Sequence, residues 1–476
     1  MNMIKTVTPL WTSAQAAEAT GGNVSRAWRA TGVSINTRTL KPGDLFVALV
    51  GPNADGHDYV ADAFEKGAAA ACVSHRPPVL DPDAALLVVD DTQKALEDLG
   101  RSARARTAAR VIAVTGSVGK TGTKDALKTV LSAQGKTTAS EGSLNNHWGL
   151  PLSLARTPVD ADFAVLEMGM NHPGELTPLS TMARPHVCLI TTIAPAHTEF
   201  FASTDEIADA KAEIFKGAEP GAVAVLNADI SEFDRLFEAA RGAGMASVVT
   251  FGESIGADFR VIAYSLGPLG SKITALTPVG RVDYAIASPG KHWVVNSLGV
   301  LAAVFAAGGD VARAAESLAQ VTPPSGRGER FEIALKKGSF TLIDDSYNAS
   351  PTAMRASLAV LGAQPVGPAC RRIAVLGDML ELGEDTPRLH GELADAVLAN
   401  NIDTVFLAGE AMANLWAALP KRIHGHHSVT AELLTDVVVK AVRPGDVVMV
   451  KGSAGSRMGL IANRLKKLDH HSKGKI

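Results

Sequence analysis

Short apolar runs recur along the chain, and most are followed by a stretch with helical spacing. The clearest series starts at residue 111. Val111-Ile112-Ala113-Val114 predicts a buried strand, then a glycine loop, then a helix over 121–133. Strands over 163–166, 187–191 and 222–226 alternate with helices over 173–183 and 203–217. That alternation predicts a parallel α/β sheet. Residues 258–287 switch to alternating apolar and polar positions, which predicts added antiparallel strands, and a helix over 293–307 closes the block.

The flanks differ in rhythm. The first 105 residues hold short strands such as 44–49, with Gly/Pro turns, and end in a basic, alanine-rich helix over about 95–109. Residues 321–326, Val-Thr-Pro-Pro-Ser-Gly, read as a linker. Beyond it, apolar strands over 341–343, 373–376, 404–407 and 447–450 predict a second doubly wound unit. The polar end, 469–476, is expected to fray. The reading is an α/β chain of three domains, 1–105, 106–322 and 323–476: a small α/β domain, a central parallel sheet with extra antiparallel strands, and a Rossmann-like domain.

Composition narrows the function classes. Lys plus Arg is 46 and Asp plus Glu is 49, so the net charge is 46 − 49 = −3. No nucleic-acid coat and no polybasic membrane binder is expected from that balance. The longest apolar run, 298–309, is too short to span a bilayer, and no signal peptide is expected at the start. Cys72, Cys188 and Cys370 lie far apart with no metal spacing, so free thiols and a cytoplasmic location are expected. The 44 glycines among 476 residues, about 9% against a usual ~7%, ask where backbone must approach a ligand.

One answer lies in Thr115-Gly116-Ser117-Val118-Gly119-Lys120-Thr121, between a strand and a helix. Glycines let backbone N–H groups close around phosphate oxygens, Lys120 supplies a point charge, and the Thr121 hydroxyl suits Mg²⁺. The helix N-terminus adds partial positive charge. The general phosphate-loop pattern wants glycine at 114, where valine stands, and the bland alternative is a glycine turn capping an ordinary helix.

Glu167 ends an apolar strand, where phosphate-loop nucleoside triphosphatases place an acid facing the metal; a solvated strand-end acid is the alternative. His197 follows the next strand and is expected at the same sheet edge, although a lone histidine there is more often structural. Ser203 and Glu206 form a capping box that opens a helix. On that helix Ile207, Lys211, Ile214 and Phe215 share the apolar face. Lys211 is then either a snorkelling lysine or a buried amine of depressed pKa, able to add CO₂ and become an anionic carbamate.

Together these residues resemble the ATP-dependent Mur ligase family, and within it the MurF type. The T-G-x-x-G-K-T loop is met at 115–121, L-E-M-G at 166–169, and the A-H and K-x-E-I-F segments at Ala196-His197 and 211–215. Asp344-Asp345-Ser346-Tyr347-Asn348-Ala349, Gly326-Arg327-Gly328 and Lys451-Gly452-Ser453 match later motifs, and 376–383, Leu-Gly-Asp-Met-Leu-Glu-Leu-Gly, carries the subtype. Departures are Asn36 for Asp, Ser143 for the first Asn of N-x-N-N, Ser350 for Asn, and Ala454 and Gly459 for Arg and Glu.

The resemblance implies a ligase that adds D-alanyl-D-alanine to a UDP-N-acetylmuramoyl-tripeptide, using ATP, through an acyl phosphate and a tetrahedral intermediate, as a monomer. It implies UDP-substrate binding by the first domain at Thr37 and Arg38, with Asn145 and Asn146 as further substrate contacts. It implies ATP binding by Gly116, Ser117, Val118, Gly119, Lys120, Thr121, Gly122, Asn296, Arg327, Asp345 and Asn348. It implies metal binding, two Mg²⁺ expected, by Thr121, Glu167, His197 and carbamylated Lys211, with Lys120, Lys211 and His197 catalytic. The third domain would close over ATP and take the dipeptide.

Three rivals stand beside this reading: a Mur ligase adding a single amino acid, a folylpolyglutamate-type ligase, and a phosphate-loop ATPase without ligation. The uridine-like front segment argues against the second, 376–383 against the first, and two flanking domains against the third. His424, His426 and His427 are read as a polar surface loop, and 101–110 as a solvated basic helix face.

Overall fold

The computed structural model describes residues 8–78, 80–195 and 199–470. Three larger sheets follow one another along the chain. The first has five strands, in the spatial order Asn23–Val24, Leu86–Val88, Ala70–Val73, Asp44–Val47 and Gly32–Ser34, all parallel except the first pair. Helix Thr92–Arg106 packs on it and leads into the second unit.

The central sheet has nine strands. Arg110–Thr115 lies between Phe163–Glu167 and Val187–Ile190, parallel to both. Thr137–Ala139 forms one edge; Val223–Asn227, Ser247–Gly252 and Phe259–Leu266 extend the other, still parallel. Ser271–Thr277 and Gly280–Ile286 complete it antiparallel, as the alternating pattern predicts. The period of two sorts side chains between faces. Ile112, Val114 and Val165 join the core under helices Lys120–Ser132 and Lys291–Ala306, whereas Val111, Ala113, Ala164 and Leu166 join the opposite core. Burial on both faces is why these strands read as unbroken apolar runs.

The third sheet runs Glu329–Ala334, Ser339–Asp345, Val447–Lys451, Arg372–Gly377, Thr404–Ala408 and His424–Ser428. Only its first pair is antiparallel.

Several sequence expectations need correction. The histidines of 424–428 form an edge strand, not a loop: Phe406 and Leu407 pair with His426 and His427, and His424 stacks on Trp416 at 3.8 Å. The polar composition of an edge strand hid it. The basic run is not wholly solvated, because buried Arg104 donates to the carbonyls of Ala183 (2.7 Å) and Arg184 (2.8 Å). Nor is residue 469 the start of a frayed end: the Ala334 N–H donates to Asp469, and the His470 N–H to the Ala334 carbonyl. Cys72, Cys188 and Cys370 are free. No helix of the described residues is long and apolar enough to cross a membrane.

Candidate active site

The carboxyl ends of three adjacent central strands converge on the loop 116–119, the position open α/β sheets use for ligands. Gly116 (φ 147°) and Gly119 (φ 92°) lie in backbone regions that L side chains rarely adopt. A Cβ on Gly116 would collide with the Thr191 hydroxyl, and one on Gly119 would stand 2.9 Å from Asn296 Nδ2. The loop is also pinned from behind. The Thr191 hydroxyl donates to the Val118 carbonyl (2.7 Å), the Ser117 N–H to the Thr192 carbonyl (2.9 Å), and the Ala194 N–H to Ser117 Oγ (3.1 Å). Asn296 is thus placed beside the loop by helix Lys291–Ala306, and the Trp293 ring covers Gly122.

Lys120 opens its helix and folds its ammonium back onto the Gly116 carbonyl at 2.6 Å. Desolvation lowers its pKa; Glu167 acts the other way, and the Arg327 guanidinium lowers it further. Thr121, next on the helix, is buried.

Glu167 ends its strand on the same side as Val165, the face covered by the phosphate-loop helix. It is 1% exposed. Oε1 accepts from Asn145 Nδ2 at 2.7 Å, while Oε2 is buried with no hydrogen-bond partner among the described residues. A buried carboxylate oxygen left unmet costs free energy, so this oxygen is suited to accept a cation or a donor.

Lys211 is 2% exposed, which removes the snorkelling alternative. Its pKa is pushed well below the ordinary value, first by burial and then by the Lys120 charge. Ser203 caps the helix by accepting the Glu206 N–H (3.3 Å), but the reciprocal half of the capping box shifts by one residue, Glu206 accepting from the Ala202 N–H (2.9 Å). Glu213 of the same K-x-E-I-F segment holds the loop after Glu167, accepting from Gly174 N (2.6 Å) and Thr177 N (3.1 Å). His197 lies outside the described residues.

A second group faces the first from the third unit. Arg327 stacks over Tyr347 (4.0 Å) and donates to Ser143 Oγ (3.2 Å) of the central unit. Asp345 accepts from buried Lys451 (2.8 Å) and from Ser357 (2.5 Å), and Lys451 also donates to the Asn348 carbonyl (3.1 Å). His292, at the start of the Asn296 helix, senses this pair. The surrounding protein lowers its pKa, Asp345 acting upward and Lys451 downward, but its side chain is exposed, which limits the desolvation. Ser350 supplies a helix cap, accepting the Ala353 N–H, which explains why serine serves at that departure.

The remaining expected residues lie apart or take local roles. Thr37 is buried and Arg38 exposed in a turn of the first unit, where Asn36 Oδ1 accepts the Arg38 N–H (2.9 Å), a role Asn and Asp share. Asn146 Oδ1 accepts from Trp148 N and Gly149 N and so starts helix Gly149–Ala155. The support given by Asn145, Thr191, Glu213 and His292 was not assigned from sequence. For Glu213 the K-x-E-I-F motif was the available signal; the others are contacts distant in sequence.

Comparison with known proteins adds an independent line. Residues 29–106 match the model of the Mur ligase family catalytic domain, 114–304 that of the Mur ligase middle domain, and 329–454 that of the Mur ligase glutamate ligase domain. The chain is 34% identical to a UDP-N-acetylmuramoyl-tripeptide–D-alanyl-D-alanine ligase from Rickettsia prowazekii, across 95% of this chain and 99% of that protein. Its structure is similar to that of MurF from Acinetobacter baumannii, with a TM-score of 0.81, 30% identity, and 97% and 99% of the two chains covered. It is also similar to a MurF ligase from Thermotoga maritima in complex with ADP, with a TM-score of 0.73, 26% identity, and 92% and 97% covered.

Proposed function

The chain belongs to the Mur ligase family, and from that premise we infer that it joins D-alanyl-D-alanine to a UDP-N-acetylmuramoyl-tripeptide at the expense of ATP, releasing ADP and phosphate. The observation that carries the chemistry is the unmet charge at the central sheet edge: Lys120 bonded only to a loop carbonyl, buried Lys211 with no hydrogen bond to a described residue, and Glu167 with an unpartnered oxygen. The single-amino-acid and folate-type rivals are not favoured, because full-length relatives such as the Rickettsia protein carry the dipeptide-adding name.

Amide formation from a carboxylate needs the carboxylate activated. In this reading its oxygen attacks the ATP γ-phosphorus, the bond to ADP breaks, and an acyl phosphate forms. The dipeptide amine then adds to the acyl carbon, and the tetrahedral adduct expels phosphate. Two anions must meet in the first step. Lys120, leaving the Gly116 carbonyl for phosphate oxygens, would screen them, and the loop N–H groups would bind the phosphates. Asn296 would orient nucleotide beside Gly119. Arg327, whose charge already reaches Lys120, would add positive charge from the third unit, and closure would exclude water from the acyl phosphate.

The donor set fits Mg²⁺. Glu167 Oε2 is an orphaned hard oxygen, and Thr121 is the loop hydroxyl. Among the described residues no group of three or more His, Cys, Asp and Glu is gathered for a metal, so substrate phosphates would supply further ligands. Bound there, Mg²⁺ would neutralise phosphate charge. Lys211 would complete the set as a carbamate: its neutral amine bonds to CO₂ carbon and loses a proton to water, turning a buried cation into an anionic ligand beside Lys120. Glu167, Thr121, His197 and the Lys211 carbamate would hold two ions. The first unit would hold the UDP moiety through Thr37 and Arg38, and the third would take the dipeptide, in a cytoplasmic monomer.

The test is ADP release. Formation that requires both the UDP-muramoyl tripeptide and D-Ala-D-Ala supports the reading. ADP formation with neither present sinks it and favours the plain ATPase.

A further inference from the structure

Lys124 lies one turn beyond Lys120 on the phosphate-loop helix, and it is 1% exposed. Its ammonium donates to the carbonyls of Ser140 (2.9 Å) and Gly142 (3.2 Å) and meets Asp125 Oδ1 at 2.6 Å. The ammonium thus has two carbonyl hydrogen bonds and one carboxylate counter-charge. Burying a charge carries a desolvation cost that an apolar side chain of like size avoids, so packing alone does not account for lysine here.

The two carbonyls begin the segment 140–149, and that segment touches all three units. Ser143 accepts from Arg327 of the third unit. Asn145 donates to Glu167, and Ser140 Oγ accepts the Glu167 N–H at 3.2 Å. Leu144 packs against the core of the first unit, where the Trp148 ring also approaches Gly51.

We propose that Lys124 is a positioning residue for the ligation: it fastens the phosphate-loop helix to the 140–149 segment, so that filling the nucleotide loop and orienting Glu167 and Arg327 are one event. This rests on the function proposed above for its kinetic consequence, but the physical link stands on the contacts. Among the described residues the Lys124 ammonium meets Ser140, Gly142 and Asp125, and not the loop 116–119. It acts through Asn145 and Ser143, two bonds away, and its loss leaves Lys120 and the loop amides in place.

Two experiments on the full chain test it. In the first, ADP release with all three substrates is measured for wild type, Lys124→Met and Lys124→Arg, with rates normalised to folded protein. Lys124→Met should lower kcat about 30-fold or more while the KM for ATP stays within about threefold, because nucleotide contacts remain. Lys124→Arg should recover much of the loss. A folded Lys124→Met with kcat within about threefold of wild type overturns the proposal. A KM for ATP that rises in step with the fall in kcat also overturns it, since Lys124 would then serve nucleotide binding itself.

The second follows backbone hydrogen exchange with ADP and Mg²⁺ alone. In wild type, nucleotide should slow exchange across 140–149, and the same addition to Lys124→Met should not. Unchanged exchange in wild type overturns the link even if the variant fails to fold. Because this arm uses no muramoyl substrate or dipeptide, it judges Lys124 even if ligation of those substrates is not found.

Discussion

Glu167 and Asp345 are the last residues of strands in two sheets dominated by parallel pairs, and each has a lysine near it. Their surroundings differ in one respect. Asp345 is met by Lys451 and Ser357, its neighbour Asp344 by Lys466 (2.7 Å) and Ser346 (2.6 Å), and Asp378, just past another strand of that sheet, by the N–H of Met412 (2.9 Å). Glu167 keeps an oxygen unmet, and Lys120 and Lys211 stand close enough for one to lower the pKa of the other. The strand-end acids of the third unit are met before any ligand arrives, whereas the acid of the central edge keeps an oxygen without a partner among the described residues. Two sheets of similar build thus present a paired set of acids and an unpaired one, and the difference lies in which carboxylates are left without partners.

The contrast can be broken most severely at Lys120. Lys120→Ala should reduce kcat/KM about 10³-fold, because no other residue of the loop supplies a cation. Its melting temperature should stay near wild type, the side chain making only one bond to a carbonyl. Near-normal turnover would make the loop a plain helix cap.

The strand-tip acids give the next test, and they should move in opposite directions. Glu167→Gln should cost about 10²-fold in activity, yet leave thermal stability equal or higher, since it removes a buried charge with an unmet oxygen. Asp345→Asn should lower stability by about 3 kcal/mol, because it leaves buried Lys451 without its counter-charge. Equal stability losses in both variants, read by thermal melts, would erase the distinction.

Lys211→Ala should lower kcat about tenfold or more, with partial recovery in a short carboxylic acid that fills the vacated space and restores an anion. The stability of Lys211→Met should also show a sign. The folded pKa of Lys211 lies below its unfolded value, so the unfolded chain binds the extra proton between them, and wild-type stability rises with pH across that window. In CO₂-free buffer, Lys211→Met should therefore gain stability relative to wild type as pH falls from about 10 toward 7. No trend would mean that the amine stays charged. The smallest effect belongs to the His424 edge: His424→Ala should cost about 0.5–1 kcal/mol through lost stacking on Trp416 and leave turnover within twofold.

What could be read from the sequence follows from burial. Arg110–Thr115 and Phe163–Glu167 are covered on both faces, so their apolar runs announce them, and the glycine loop follows because only glycine meets its φ angles. Lys211 was legible as a residue on an apolar face, but the choice between snorkelling and burial needed three dimensions. Ser247–Gly252, exposed or half-buried over its first four residues, and the histidine strand His424–Ser428 carry no such signal. Within the site, the bonds from Asn145 to Glu167 and from Arg327 to Ser143 join residues 22 and 184 positions apart. No local pattern encodes such a pairing.

Arg104 carries a consequence for how the molecule can move. The carbonyls it binds end helix Leu176–Ala183, and Trp11 Nε1 binds the carbonyl of Ala155 (2.8 Å), which ends helix Gly149–Ala155. Residues of the first unit therefore cap two helices of the second, and the helix that bears Arg104 runs from one into the other without a loose joint. The third unit is attached through Val321 to Ser325 and meets its neighbours by longer bonds, such as Gln364 to the Pro268 carbonyl (3.2 Å) and Glu199 to the Glu381 carbonyl (3.3 Å). These contacts predict two moving parts rather than three: a riveted base of about 320 residues and a single jaw.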